Sequence, residues 1–223
     1  MGIPSGIMDQ FASLNGAKDR AILLDCDSLD FELVKAELPD YQFLLVNSMV
    51  THELASSEYP IRVAECQEAL AVLQQYEPEL QALCHVSPAA VEAVKKKMRE
   101  VVYRRARYVT TEMNRIRQAV TSLKAGDAID VGRQMNATHA GLRDDYEVSC
   151  EEIDLLQSFA EGYDGVVGSR IMGGGFGGCT INLIKADQVE HFIQDVSAAY
   201  HTAYGKEPCF YEVPLSTGTE IIG

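Results

Sequence analysis

The stretch MGGGFGGCTINLI occupies residues 172–184, and glycine fills five of six consecutive positions within it. A loop so poor in side chains costs backbone entropy, so it normally exists where another group approaches the main chain closely. Gly173, Gly175 and Gly178 also match the G-x-G-x-x-G spacing of dinucleotide-binding loops. Such a loop must open a helix that holds the pyrophosphate, whereas here an alternating strand at 180–184 follows. The sequence therefore predicts a strand–loop–strand element beside a ligand and not an NAD site, with a hairpin that merely packs against another element as the alternative.

Strands and helices surround this stretch without regular alternation. The predicted strands cover residues 21–24, 31–34, 41–46, 165–169, 180–184 and 210–213. The predicted helices begin after an N-cap at Ser5, at Pro60, near residue 101, near residue 128, after a capping box of Ser149 and Glu152, and after Asp187. Gly126 is expected to end the longest of them, over 101–124. Because the two kinds of element are mixed but not alternating, the predicted fold class is α+β.

Composition excludes several classes of function. The chain has 223 residues and a formal net charge of −14, which argues against nucleic acid or an anionic membrane as the main partner. No apolar run is long enough to span a membrane. The six cysteines are scattered without a C-x-x-C pair, and the histidines form no metal-ligand pattern with them. We therefore expect free thiols and a cytoplasmic location.

Single residues carry weaker signals. Asp9 lies in the first turn of a predicted helix, where any acidic residue is favoured by the helix dipole. Tyr59 is an aromatic residue before a predicted helix start, and His139 lies on an apolar stripe that is more typical of a core histidine than of a catalyst. The basic residues between 95 and 107 are expected to form a solvated helix face with local ion pairs.

Four segments taken together carry a resemblance to a known family. They are GIMDQF at 6–11, SSEYP at 56–60, LRDDYEVS at 142–149 and GGGFGGC at 173–179. In this order and spacing they resemble galactokinases of the GHMP sugar-kinase group, and the resemblance extends over essentially the whole chain. Each segment alone is only modest evidence for the family, but the four together are highly specific to it.

The resemblance implies ATP-dependent phosphorylation of galactose at the anomeric hydroxyl, with Mg²⁺. Asp9 corresponds to the catalytic aspartate, which accepts the hydroxyl proton or orients the nucleophile. Gly6 and Tyr59 correspond to positions that shape the sugar pocket. The glycine loop corresponds to an active-site motif beside the phosphate-binding loop, and its glycines are Gly173, Gly174, Gly175, Gly177 and Gly178.

The resemblance also implies a domain division. Residues 1–50 would be the end of a GHMP N-terminal domain, and residues 51–223 a GHMP C-terminal, ferredoxin-like α+β domain with extra helices. The family's sugar-recognition motif G-E-H-T-D-Y and its phosphate loop P-x-x-x-G-L-S-S-S do not occur in these 223 residues. Thr51 and Val63 also stand where basic residues are common in the family. We therefore expect a carboxy-terminal part of a galactokinase that has no metal ligand of its own, negligible kinase activity alone, and a tendency to self-associate.

Other interpretations remain open at this stage. A non-catalytic sugar sensor that binds a partner is one, although an intact Asp9 favours an enzyme. A kinase for a related sugar such as N-acetylgalactosamine is another, because the family residues that read the sugar's other hydroxyls lie mostly in the amino-terminal segment that these 223 residues lack. A purely structural fragment is the third.

Overall fold

The computed structural model describes residues 6–51 and 54–219. The chain begins with helix α1 (Met8–Asn15) and an antiparallel hairpin of strands β1 (Arg20–Leu24) and β2 (Phe31–Lys35). A long strand, β3 (Tyr41–Thr51), leads into five helices: α2 (Leu54–Leu73), α3 (Pro88–Val94), α4 (Glu100–Ala125), α5 (Ala128–Asp144) and α6 (Glu151–Glu161). Strands β4 (Val166–Ile171) and β5 (Gly177–Lys185), helix α7 (Val189–Tyr204) and strand β6 (Cys209–Val213) complete it. The predicted α+β class is confirmed.

The main sheet has four antiparallel strands in the order β4-β5-β3-β6. Numbered along the chain, these strands lie in the order 2-3-1-4, with helices between the first and second and between the third and fourth. This is the predicted ferredoxin-like arrangement, and the additional helices are all inserted after β3.

Helices cover both faces of the sheet. On one face, Leu44 and Ile184 are buried with Phe192 of α7 and Leu156 of α6. On the other face, Leu183 packs with residues of α5 such as Met135. Because side chains alternate along a strand, β5 serves two cores, as the continuous apolar run of its sequence indicates.

The hairpin stands apart from this sheet. Among the described residues, β1 and β2 pair only with each other, and ring packing between Phe11 and Phe31, at a centroid distance of 5.1 Å, joins α1 to the hairpin. Strand β3, in contrast, pairs with β5 and β6. The domain division between residues 1–50 and 51–223 remains a prediction, and the pairing shows that 41–51 share a sheet with 166–213.

Helix α4 follows its sequence signals closely. It ends at Ala125, and Gly126 has φ 71°, the left-handed conformation that glycine adopts without a steric penalty. Two predictions about helix starts, at Pro60 and at Ser149, are wrong. Pro60 lies inside α2 and not at its first position, because that helix begins at Leu54. Ser149 does not cap α6, because its hydroxyl binds Asp154 while Cys150 occupies the N-cap position.

The ends of the chain differ from expectation in similar ways. Helix α7 begins at Val189 with Gln188 as N-cap, and Asp187 lies in a 3₁₀ turn before it and makes no capping hydrogen bond. Helix α1 begins at Met8, with Ile7 at the N-cap position, and Ser5 lies outside the described residues.

No helix in the described ranges is long and apolar enough to cross a membrane. All six cysteines are free thiols.

Candidate active site

The glycine loop is the turn of the hairpin between β4 and β5. The Met172 amide donates to the Cys179 carbonyl at 2.9 Å, which closes the turn. The Ser48 hydroxyl, at the end of β3, donates to the Gly178 carbonyl at 2.9 Å. The Phe176 amide donates to the Val148 carbonyl at 2.7 Å. The loop is therefore fixed on two sides by protein, as well as by its own strands.

Gly175 is required by close contact with the protein itself. Its φ is +87°, and a Cβ built on it would lie 2.2 Å from the Val148 carbonyl oxygen. No side chain fits at that distance, so Gly175 allows the loop to touch the segment between α5 and α6. The alternative interpretation, a hairpin that packs against another element, is thus correct for this one position.

Gly173, Gly174 and Gly178 have a different environment. A Cβ at any of them would meet no atom within 4 Å. A depression of about 310 Å³ lies over this side of the loop, and Val50 and Met172 form part of its wall. Packing within the described chain does not explain glycine at these three positions. Gly174 and Gly178 border this depression, and Gly173 lies beside it in the chain with the same open space around it.

The segment 144–149, which the loop touches, is held by arginines from two helices. Arg62 of α2 donates to the carbonyls of Tyr146 and Glu147 at 2.7 and 2.8 Å. Arg105 of α4 binds the Glu147 carboxylate at 2.6 Å and that of Glu65 at 2.7 Å. Two further arginines of α4 bind the same segment: Arg104 pairs with Glu147, and Arg107 pairs with Asp145.

This network corrects the interpretation of the basic cluster. Local ion pairs are present, as predicted, but Arg105 is only 1% exposed and is not part of a solvated face. Burial raises the pKa of Glu147, but its bonds to Arg105 and Arg104 outweigh burial and hold that pKa below its ordinary value. The carboxylate is therefore kept charged.

Tyr59 lies on α2, half-buried, one helical turn before Arg62. The pKa of Tyr146 is raised, mainly by burial and further by the neighbouring Cys66 and Tyr59 side chains. The Tyr146 hydroxyl is 3.6 Å from the Cys66 sulfur. Tyr59 thus belongs to the same cluster as the segment 144–149. Through Phe176 and Val148 this cluster continues to the glycine loop, so three of the four family segments form one connected unit.

His139 supports the other end of the loop's hairpin. It is 1% exposed, and its Nδ1 accepts a hydrogen bond from the Ile171 amide at 3.2 Å, just before the loop begins. Its Nε2 is 3.4 Å from Asp154 Oδ1, and that oxygen also accepts a hydrogen bond from the Ser149 hydroxyl at 2.5 Å. Burial raises the pKa of Asp154, but the contacts with His139 and Ser149 hold it below its ordinary value. The expectation of a core histidine is confirmed.

Asp9 and Gly6 belong to the remaining family segment, GIMDQF at 6–11, which includes the start of α1. Asp9 is exposed in the first helical turn, and a Cβ at Gly6 would meet nothing within 4 Å. Among the described residues, no hydrogen bond or ion pair connects Asp9 to Tyr59 or to the glycine loop. The structure therefore leaves Asp9 free to meet a ligand but does not itself bring the four segments together.

The described side chains include no group of three or more histidines, cysteines, aspartates or glutamates that could hold a metal ion. Burial raises the pKa of Cys179, next to the glycine loop, and raises that of Cys150 to about 11. A raised pKa favours the protonated thiol, which is a weaker nucleophile than the thiolate.

The residues that sequence reasoning missed are those that hold the loop. Arg62 has a local signal, because Glu58 and Glu65 lie one turn away on either side and both pair with it. The contacts from Arg105 and His139 have no such signal, since their partners lie 32 to 42 positions away.

Comparison with known proteins matches this architecture. Residues 119–202 match the family model for the GHMP kinase C-terminal region. The chain is 41% identical over 223 residues to a galactokinase of Staphylococcus carnosus, covering 100% of this chain and 57% of that protein. It is 41% identical over 221 residues to the galactokinase of Homo sapiens, covering 99% of this chain and 54% of that one. The chain thus spans little more than half the length of these relatives.

Two solved structures have a similar fold. The crystal structure of Lactococcus lactis galactokinase complexed with galactose superposes with a TM-score of 0.91 at 38% identity, covering 97% of this chain and 56% of that chain. A mevalonate kinase from L. major superposes with a TM-score of 0.60 at 19% identity, which shows the shared fold alone. The chain is therefore a homologue of galactokinases within the GHMP kinase group, and it corresponds to the carboxy-terminal part of those relatives.

Proposed function

We propose that this chain forms one side of a galactokinase active site, in which the anomeric hydroxyl of galactose receives the γ-phosphoryl group of ATP. The observation that carries the proposal is the divided glycine loop. Gly175 is fixed against Val148, whereas Gly173, Gly174 and Gly178 expose main chain that the described protein leaves uncovered. A kinase site needs such a surface, because backbone amides bind phosphate oxygens without side chains in the way.

Asp9 is proposed as the group that accepts the proton. As the sugar oxygen forms its bond to the γ-phosphorus, the bond between that phosphorus and the bridging oxygen of ADP breaks, and the hydroxyl proton passes to the Asp9 carboxylate. Its exposed position in the first turn of α1 is compatible with this role. Gly6 would let the sugar approach the main chain, and the half-buried ring of Tyr59 would line the sugar pocket.

The remaining parts of the site are proposed to come from outside residues 1–223. The phosphate-cradling serine loop is absent from this sequence, and the described residues contain no cluster of three or more candidate metal ligands. ATP would therefore bind with Mg²⁺ held by other groups. We accordingly propose that residues 1–50 complete an N-terminal kinase domain, residues 51–223 form the C-terminal one, and the protein acts in the cytoplasm.

A chimaera tests this proposal. It joins the amino-terminal part of Staphylococcus carnosus galactokinase, up to the matched region, to residues 1–223 of this chain. We expect galactose-dependent ADP release from the chimaera and none from residues 1–223 alone. N-acetylgalactosamine in place of galactose tests the related-sugar alternative. A folded chimaera that binds galactose without releasing ADP would support a sugar sensor and contradict the proposal, as would kinase activity of residues 1–223 alone.

A further inference from the structure

A second cavity lies apart from Asp9 and Tyr59, between the hairpin and helices α4 and α5. Its volume is about 420 Å³, within the range of about 300–1,000 Å³ that is typical of small-molecule sites. Ile22 and Val34 of the hairpin face Ile116 and Val120 of α4 across it. Most of its wall is therefore apolar.

One end of the cavity is charged. Among the described residues that line it, the ionisable ones are Arg170, Arg115, Glu112 and Tyr108. Arg115 Nε binds Glu112 Oε2 at 2.6 Å, and the Thr138 hydroxyl donates to Glu112 Oε1 at 2.8 Å. The glutamate is thus engaged by two partners. Two arginines against one glutamate leave the cavity with a local excess of one positive charge, in a chain whose net charge is −14.

Arg170 supplies that excess charge. It lies on β4 with its side chain half-buried, and desolvation lowers its pKa despite the opposing influence of Glu112. Among the residues that the structure describes, its guanidinium makes one hydrogen bond, from Nη1 to the Ile171 carbonyl at 3.0 Å, and no ion pair. Guanidinium has five N–H donors, so the described residues use only a small part of its donor capacity. Because Arg170 lines the cavity, an anion inside the cavity could accept the remaining bonds.

We propose that this cavity binds a small amphipathic anion, a carboxylate or a phosphate ester with an apolar body, whose charged end pairs with Arg170. The apolar body would lie between the hairpin and α4, where it excludes water from the surfaces of Ile22 and Ile116. Gly173 also borders the cavity, so the ligand's charged end would lie beside the start of the glycine loop. This site adjoins the proposed kinase site at Gly173, but neither Asp9 nor Tyr59 lines it.

Isothermal titration calorimetry with octanoate and with phenyl phosphate tests the proposal on the whole chain. We expect saturable binding of one molecule per chain, with octanol and octylammonium binding at least tenfold more weakly. Arg170→Gln should weaken binding of the anions by about tenfold or more, because a hydrogen-bonded charge pair is lost. Arg133→Gln is the matched control, since it removes an exposed arginine of α5 that does not line the cavity.

A second variant tests the volume separately from the charge. Ala119→Leu fills part of the cavity and keeps Arg170, so it should also weaken octanoate binding while the chain remains folded by circular dichroism. It keeps the test decisive if Arg170→Gln fails to fold. Equal affinity for octanoate and octylammonium, unchanged affinity in Ala119→Leu, or absence of binding by the unaltered chain would overturn the proposal. Preference for phenyl phosphate over octanoate would identify a phosphate ester as the ligand class.

Discussion

Two neighbouring glycines of one loop have different physical roles. Gly175 has a positive φ and lies against the Val148 carbonyl, whereas Gly174 has open space where a Cβ would be. Sequence alone treats them alike, because both belong to the same glycine run. The distinction depends on where a segment 26 or more residues away passes the loop, and this contact leaves no local pattern.

Substituting each glycine by alanine separates these roles. Gly175→Ala should destabilise the chain by more than about 1–2 kcal/mol, because a left-handed conformation of a non-glycine residue alone costs about that much and a clash at 2.2 Å is added. Gly174→Ala should leave stability nearly unchanged. Urea unfolding followed by circular dichroism gives both values. Similar losses in the two variants would show that the loop is not divided as described.

Arg105 holds together parts of the chain that are 40 or more residues apart. It is 1% exposed and binds carboxylates from α2 and from the segment 144–149. Arg105→Met should cost about 1–3 kcal/mol of unfolding free energy, because Glu65, Glu147 and the Asp145 carbonyl each lose a hydrogen bond from a buried guanidinium. The matched control is Arg99→Met, which breaks an ion pair with Glu68 on the surface and should have little effect. Equal effects in chemical denaturation would contradict the central position given to Arg105.

At the scale of elements, the interiors of the strands and of every helix except α3 were predictable, whereas α3 and several ends were not. The apolar stripe and Gly126 define α4 because they act locally. The helix starts predicted from Pro60 and Ser149 were wrong for physical reasons. A proline is tolerated inside α2, and the Ser149 hydroxyl binds Asp154 where a capping bond was expected. For the candidate active site, the sequence predicted the four family segments. It did not predict the arginine contacts that help to join three of them.

Two carboxylates make the free energy of unfolding depend on pH: Glu147, between α5 and α6, and Asp154, within α6. The pKa values of Glu147 and Asp154 are held below their ordinary values of 4.5 and 3.8. A carboxylate whose pKa is lowered in the folded state contributes stability above its unfolded pKa, and this contribution is lost as pH falls through the folded value. We expect the unfolding free energy to decline below about pH 4.5. Glu147→Gln should reduce that slope, and an unchanged slope in this variant would exclude Glu147 as a source.

At the scale of the whole molecule, exposed apolar side chains are concentrated in the first part of the chain. Six of the large exposed ones lie between residues 7 and 33, in or beside α1 and the hairpin: Ile7, Met8, Leu14, Leu29, Phe31 and Leu33. A two-stranded hairpin with two free edges is marginal by itself. This surface supports the proposal that further protein covers α1 and the hairpin in the active enzyme.

The same surface predicts self-association of residues 1–223. Light scattering should show an apparent mass that rises with protein concentration, because a large apolar patch in water favours association. Leu14→Lys, at a position 71% exposed, should reduce the effect without loss of stability. Tyr76→Lys, at a position 56% exposed in another part of the chain, should not. A monomer at all concentrations would contradict the prediction.

The galactokinase proposal depends most directly on Asp9, and kcat of the chimaera for galactose measures its role. Asp9→Asn keeps the size of the side chain but removes the proton acceptor, so kcat should fall by about 10²–10⁴-fold. Asp27→Asn, in the exposed turn of the hairpin, is the matched control and should retain kcat. An Asp9→Asn chimaera that phosphorylates galactose as fast as the Asp27→Asn chimaera would contradict the proposed role of Asp9.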